Sequence, residues 1–68
     1  MRLREIREQK GLTQSQLASA AGLTQAFVCE LESGRKSPSL KTLRTIARIL
    51  DTPIDKLIAE SEPNQDSA

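Results

Sequence analysis

Gln14 and Gln25 each carry a carboxamide, a flat group that presents a donor and an acceptor side by side. Arg35, Lys36, Lys41, Arg44 and Arg48 all fall within residues 34–50 with no acid among them, a local charge of +5. Such a run draws polyanions through its local field even though the whole chain carries only +1. Taken alone, it is ordinarily a solvated helix face, so its position has to decide. Catalysis has little to work with. There is no histidine, and Cys29 is the single cysteine. That removes Ser-His-Asp and Cys-His chemistry, an internal disulfide and any four-ligand Cys/His zinc site. A site built from carboxylates alone is the remaining catalytic option, and the chain is expected not to be an enzyme.

At 68 residues the chain is one domain at most, with a small core. No apolar run approaches the ~20 residues of a membrane span, and charged residues follow Met1. These features predict a small, reduced, cytoplasmic module without a membrane partner.

Punctuation divides the chain into five short helices, at about 2–10, 14–21, 25–33, 40–50 and 53–59, so the fold class is all-α. Gly11, Gly22 and Gly34 stand where helices end in a left-handed residue. Thr13, Thr24, Ser39 and Thr52 precede apolar-periodic stretches as N-caps, with Thr13 and Gln16 spaced as a capping box and Pro53 at a helix start. β-branched alternation, the mark of strands, is absent. One apolar face per helix supplies the expected core: Leu3 and Ile6; Leu17, Ala18 and Ala21; Val28 and Leu31; Leu40, Leu43, Ile46, Ala47 and Leu50; Ile54, Leu57 and Ile58. The domain is therefore expected over residues 1–59, with an acidic, disordered tail over 60–68.

Between the second and third helices lies Ala20-Ala21-Gly22-Leu23-Thr24, a tight turn with Leu23 free to plug the core. Two short helices joined in this way cross steeply, and the second can project from the body. With Arg7, Gly11-Leu12-Thr13-Gln14, Leu17-Ala18, Ala21-Gly22-Leu23-Thr24-Gln25, Leu31-Glu32-Ser33-Gly34 and Pro38-Ser39-Leu40-Lys41-Thr42-Leu43 in this order, residues 2–58 resemble the Cro/phage-repressor (XRE-type) helix-turn-helix family.

The resemblance implies a compact five-helix, lambda-repressor-like DNA-binding domain with its helix-turn-helix in helices two and three. It also implies a sequence-specific regulator of transcription that binds double-stranded DNA, of the repressor or restriction-modification controller type. By the same resemblance Gln14 meets a backbone phosphate, Gln25 meets a base edge, and the Arg35–Lys36 loop with Ser39 touches the backbone. Arg7 and Glu32 match a pair that fixes helix three against the body. Helical spacing turns Ala26, Phe27 and Glu30 outward, with Phe27 expected on the DNA-facing side. Thr13, Thr24, Ser33 and Lys41 complete the expected interface, while Arg44 and Arg48 face solvent.

Glu30 departs from the basic or amide group common at its position in the family. It either accepts from cytosine N4 or is neutralised by a neighbouring cation. Cys29 is expected as a small packed or half-exposed side chain rather than a redox sensor. A module of this size seldom binds specifically alone, so a homodimer on a palindromic operator is expected, with half-sites about 34 Å apart. Leu50, Thr52, Ile54 and Leu57 are the expected self-association surface. No cofactor, metal or small-molecule ligand is expected. The competing expectation is a protein-interaction module, an antitoxin or adaptor on the same fold, which Glu30 and the acidic C-terminal third support.

Overall fold

The computed structural model describes residues 1–59 of the chain, so the expectation for the tail over 60–68 lies outside the described residues. Five helices follow in order: α1 Leu3–Gln9, α2 Gln14–Ala21, α3 Gln25–Ser33, α4 Leu40–Ile49 and α5 Ile54–Ile58. No strand occurs among the described residues.

Local chemistry explains where three of these helices begin. The Thr13 hydroxyl accepts from the Gln16 backbone N–H at 3.0 Å, while the Gln16 side chain accepts from the Thr13 N–H at 2.8 Å, closing the capping box. Thr24 caps α3 by accepting from the Phe27 N–H at 3.1 Å, and Ser39 caps α4 through the Thr42 N–H at 3.2 Å. Gly22 and Gly34 end α2 and α3 with φ of 72° and 82°, a left-handed conformation that glycine adopts without a Cβ penalty. At the end of α4 a non-glycine does the same job: Asp51 has φ of 52°.

α2 packs against α3 and α4, α4 against α5, and α1 against both α3 and α5. Leu3, Leu17, Val28, Leu31, Ile46, Leu50 and Leu57 are sealed from solvent at the centre, with Ile6, Ala18 and Ala47 beside them. Truncating one such leucine to alanine costs about 2–5 kcal/mol. The ends of the domain are stitched together, since the Arg2 N–H donates to the Leu57 carbonyl at 2.9 Å.

Three expectations are corrected. Leu40, in the first turn of α4, and Ile58, in the last turn of α5, are 57% and 48% exposed rather than packed. Thr52 does not cap α5; its hydroxyl donates to the Leu50 carbonyl at 3.0 Å, and Pro53 stands at the cap with no side-chain bond. Leu50 and Leu57 cannot serve a self-association surface, because both are fully consumed by the core. No helix among the described residues is long and apolar enough to cross a membrane.

Candidate nucleic-acid interface

α3 turns Val28 and Leu31 into the core and leaves Gln25, Ala26, Cys29 and Ser33 exposed, a ridge along its outer side. Gln25 stands in the first turn, just past the Thr24 cap, where backbone N–H groups are free and the helix dipole favours anions. Ala26 adds no bulk, so a partner can approach the helix backbone there. Phe27 is not on the open DNA-facing side expected for it. It is half-buried, packed against the edge of the core, with its ring 5.9 Å from Lys36 Nζ.

The expected Arg7–Glu32 pair is present and buried, with side chains only 8% and 5% exposed. Arg7 Nε donates to Glu32 Oε2 at 2.6 Å, and one terminal nitrogen donates to Oε1 at 3.2 Å. The other terminal nitrogen donates to the Leu12 carbonyl at 2.7 Å, tying the turn before α2 into the same knot. Hydrogen bonding to Glu32 raises the Arg7 guanidinium above its ordinary pKa, against the opposing effect of burial. Arg7 thus acts as an internal strut, with almost no surface left for a phosphate.

Gln14 joins this knot. Its Nε2 donates to Glu32 Oε1 at 3.0 Å, so the carboxamide opening α2 is held by the same carboxylate that anchors α3. A shallow cleft brings Gln14, Cys29, Ser33 and Glu32 together with Arg4 and Arg7. Arg4 was missed by sequence reasoning, and Cys29, expected packed or half-exposed, is instead exposed on the outer side of α3. The signals were present: Cys29 follows Gln25 by four residues and Arg4 precedes Arg7 by three, one helical turn in each case.

On the other flank of α3, Lys36 Nζ lies 3.4 Å from Glu30 Oε1, the neutralised state among the two expected for Glu30. The Glu30 carbonyl accepts from the Arg35 N–H at 2.9 Å, the Lys36 N–H at 3.3 Å and the Ser33 hydroxyl at 3.1 Å. Arg35, Ser39 and Lys41 are exposed in the loop and at the start of α4. Arg44 and Arg48 instead line a separate cleft with Thr52 and Ile54, away from the expected interface residues.

A helix-turn-helix family model matches residues 3–57, nearly all of the described chain. The chain belongs to the helix-turn-helix family. It is 36% identical over 59 residues to the immunity repressor protein of Bacillus phage phi105, covering 87% of this chain and 41% of the repressor. It is 48% identical over 48 residues to an HTH-type transcriptional regulator of Methanothermobacter thermautotrophicus, covering 71% and 70% of the two chains. The N-terminal DNA-binding domain of SinR from Bacillus subtilis superposes with a TM-score of 0.78 at 28% identity, over 88% of each chain. The chain spans less than half the length of the phi105 repressor and of the Deinococcus deserti regulator DdrOP3, 41% and 44% respectively. In this helix-turn-helix the turn is Gly22-Leu23-Thr24, and the Leu23 N–H donates to the Ala18 carbonyl at 2.8 Å across it.

Proposed function

We propose that the chain is the DNA-binding part of a transcriptional regulator, reading double-stranded DNA with the exposed ridge of α3 in the major groove. The observation that carries this is the uncovered Gln25-Ala26-Cys29-Ser33 ridge, buttressed from behind by the buried Arg7–Glu32 pair and flanked by exposed cations. In this assignment Gln25 reads a base edge, with Ala26 beside it against a thymine methyl. Arg35, Lys41 and Ser39 meet the backbone on one side, and Thr13 and Arg4 on the other. Gln14 reaches a phosphate only by sharing or exchanging its bond to Glu32. Thr24 holds the leading end of α3 in shape.

The regulator acts as a homodimer on a palindromic operator. A single module of this size makes too few contacts for specific affinity, and two half-sites add theirs. With Leu50 and Leu57 in the core, the remaining self-association surface is Thr52 and Ile54, with exposed Ile58 one turn on from Ile54. Repression is the favoured direction, since relatives include a phage immunity repressor and the transcriptional repressor RstR of a cryptic CTXphi phage in Vibrio cholerae.

Titration into random duplex DNA at two salt concentrations tests the assignment. Neutralised phosphates release counterions, so affinity should fall steeply as salt rises from about 50 to 200 mM. Binding that is absent or indifferent to salt would favour the protein-interaction module instead.

A further inference from the structure

We propose that Glu30 and Lys36 form a single two-residue reading unit that selects a C·G pair. Glu30 accepts from cytosine N4 while Lys36 donates to guanine O6 or N7 of the same pair. The proposal rests on the DNA-binding function above and concerns which sequence is read.

Glu30 and Glu32 are the two acids of α3, and Glu32 is buried against Arg7, so Glu30 is the acid this helix presents to a partner. A bare carboxylate there would be repelled by every phosphate it passed. The Lys36 ammonium 3.4 Å away offsets that charge. Stability does not explain the pairing, because an exposed ion pair of this kind contributes about 0–1 kcal/mol.

The proximity is built into the backbone rather than left to two flexible side chains. The loop after Gly34 returns so that the Arg35 and Lys36 N–H groups both donate to the Glu30 carbonyl, at 2.9 and 3.3 Å. Any rotamer of Lys36 therefore starts from beside Glu30. Phe27, one turn earlier, places its ring 5.9 Å from the ammonium and attracts the cation through its π face.

The hydrogen-bond inventory then sets the specificity. A carboxylate only accepts and an ammonium only donates. Oε1 is engaged by Lys36, which leaves Oε2 free to accept and further ammonium N–H groups free to donate. The unit offers an acceptor beside donors. A C·G pair in the major groove offers the complement: the N4 donor of cytosine beside the O6 and N7 acceptors of guanine. A thymine in the cytosine's place presents its O4 acceptor and C5-methyl to the carboxylate, and the paired adenine turns its N6 donor toward the ammonium, so both contacts become unfavourable.

Selection of bound duplexes from a random pool, with the parent protein, Glu30→Gln and Lys36→Ala, tests this. The parent should select C·G at one position of each half-site. Changing that pair to T·A, with thymine replacing the cytosine, should weaken parent binding about 5- to 100-fold. Glu30→Gln should lose that preference, or move it to A·T, while the positions read by Gln25 keep theirs. Lys36→Ala should relax the same position. The Lys36 side chain is exposed and that of Glu30 about one-third so, and circular dichroism checks that each variant is folded. A Glu30→Gln pool identical to the parent pool overturns the inference while leaving DNA binding intact. A parent that enriches no sequence and binds duplex without salt sensitivity overturns both.

Discussion

Arg7 and Glu32 stand 25 positions apart in sequence and meet at 2.6 Å, and their pairing fastens the outer helix of the helix-turn-helix to α1. Hydrophobic contacts resist separation of α1 and α3 but do little to fix their rotation. A bidentate fork does, because both N–H···O bonds must be satisfied together. The exposed ridge of α3 is therefore presented at a set angle by a contact that lies beneath it.

Glu32→Ala should destabilise the domain by about 3–5 kcal/mol, since it takes the bidentate carboxylate from a buried Arg7 guanidinium that keeps its bond to the Leu12 carbonyl. Arg7→Met combined with Glu32→Leu should recover part of that loss, because Leu12 and Gln14 still lose their polar partners. Urea unfolding of the two variants measures the difference. A loss for Glu32→Ala within a few tenths of a kcal/mol would show that the pair behaves like an exposed one.

Gln25→Ala should weaken binding to a selected operator by about 1–3 kcal/mol, with little effect on random duplex. Arg35→Ala should instead weaken binding alike on every sequence and lower the salt slope by about one. Equal losses on both DNAs for Gln25→Ala would contradict a base-reading role.

Gly34→Ala should cost about 1–2 kcal/mol through conformation alone. The residue has φ of +82°, and an added Cβ would meet open space, so no clash contributes. Melting temperature compared with that of Ser37→Ala, in the same loop, isolates the effect.

Glu5 should contribute to acid sensitivity. A hydrogen bond from Arg2 holds its carboxyl below the ordinary value, with burial opposing and the charge of Arg2 assisting. The folded-state pKa is the lower one, so the stabilisation is present above the unfolded value and is lost as pH falls through the folded one. Glu5→Gln should flatten the fall in urea midpoint between neutral pH and the acid side of the carboxylate range. An unchanged slope would show that the contact does not persist in solution.

Ile58→Glu should shift a homodimer to monomer in sedimentation equilibrium while the monomer stays folded by circular dichroism, since the side chain is half exposed. Leu57→Ala, one residue earlier, should instead lose about 2–5 kcal/mol of stability.

Much of the architecture was legible because its signals are local. Thr13, Thr24 and Ser39 bond to groups three residues on, and Gly22 and Gly34 take the conformation their positions require. Leu40 and Ile58 were misplaced because periodicity gives the face of a helix but not how far its neighbours extend along it. α5 starts one residue later than Thr52 and Pro53 suggest, with Pro53 at the cap, because the Thr52 hydroxyl is spent on the Leu50 carbonyl behind it. Within the site, the Arg7–Glu32 pair was legible through a family pattern. The bond from Gln14 to Glu32 was not, since it depends on where α2 and α3 meet. The contact between Glu30 and Lys36 depended likewise on how the chain turns after Gly34.

The bond from Arg2 to Leu57 makes near neighbours of the first and last turns of the domain. A polypeptide fused ahead of Met1 would emerge next to α5, on the side where Arg2 holds Leu57. A bulky cargo attached there would press on that seam, and α5, only five residues long, has few other contacts with which to resist it.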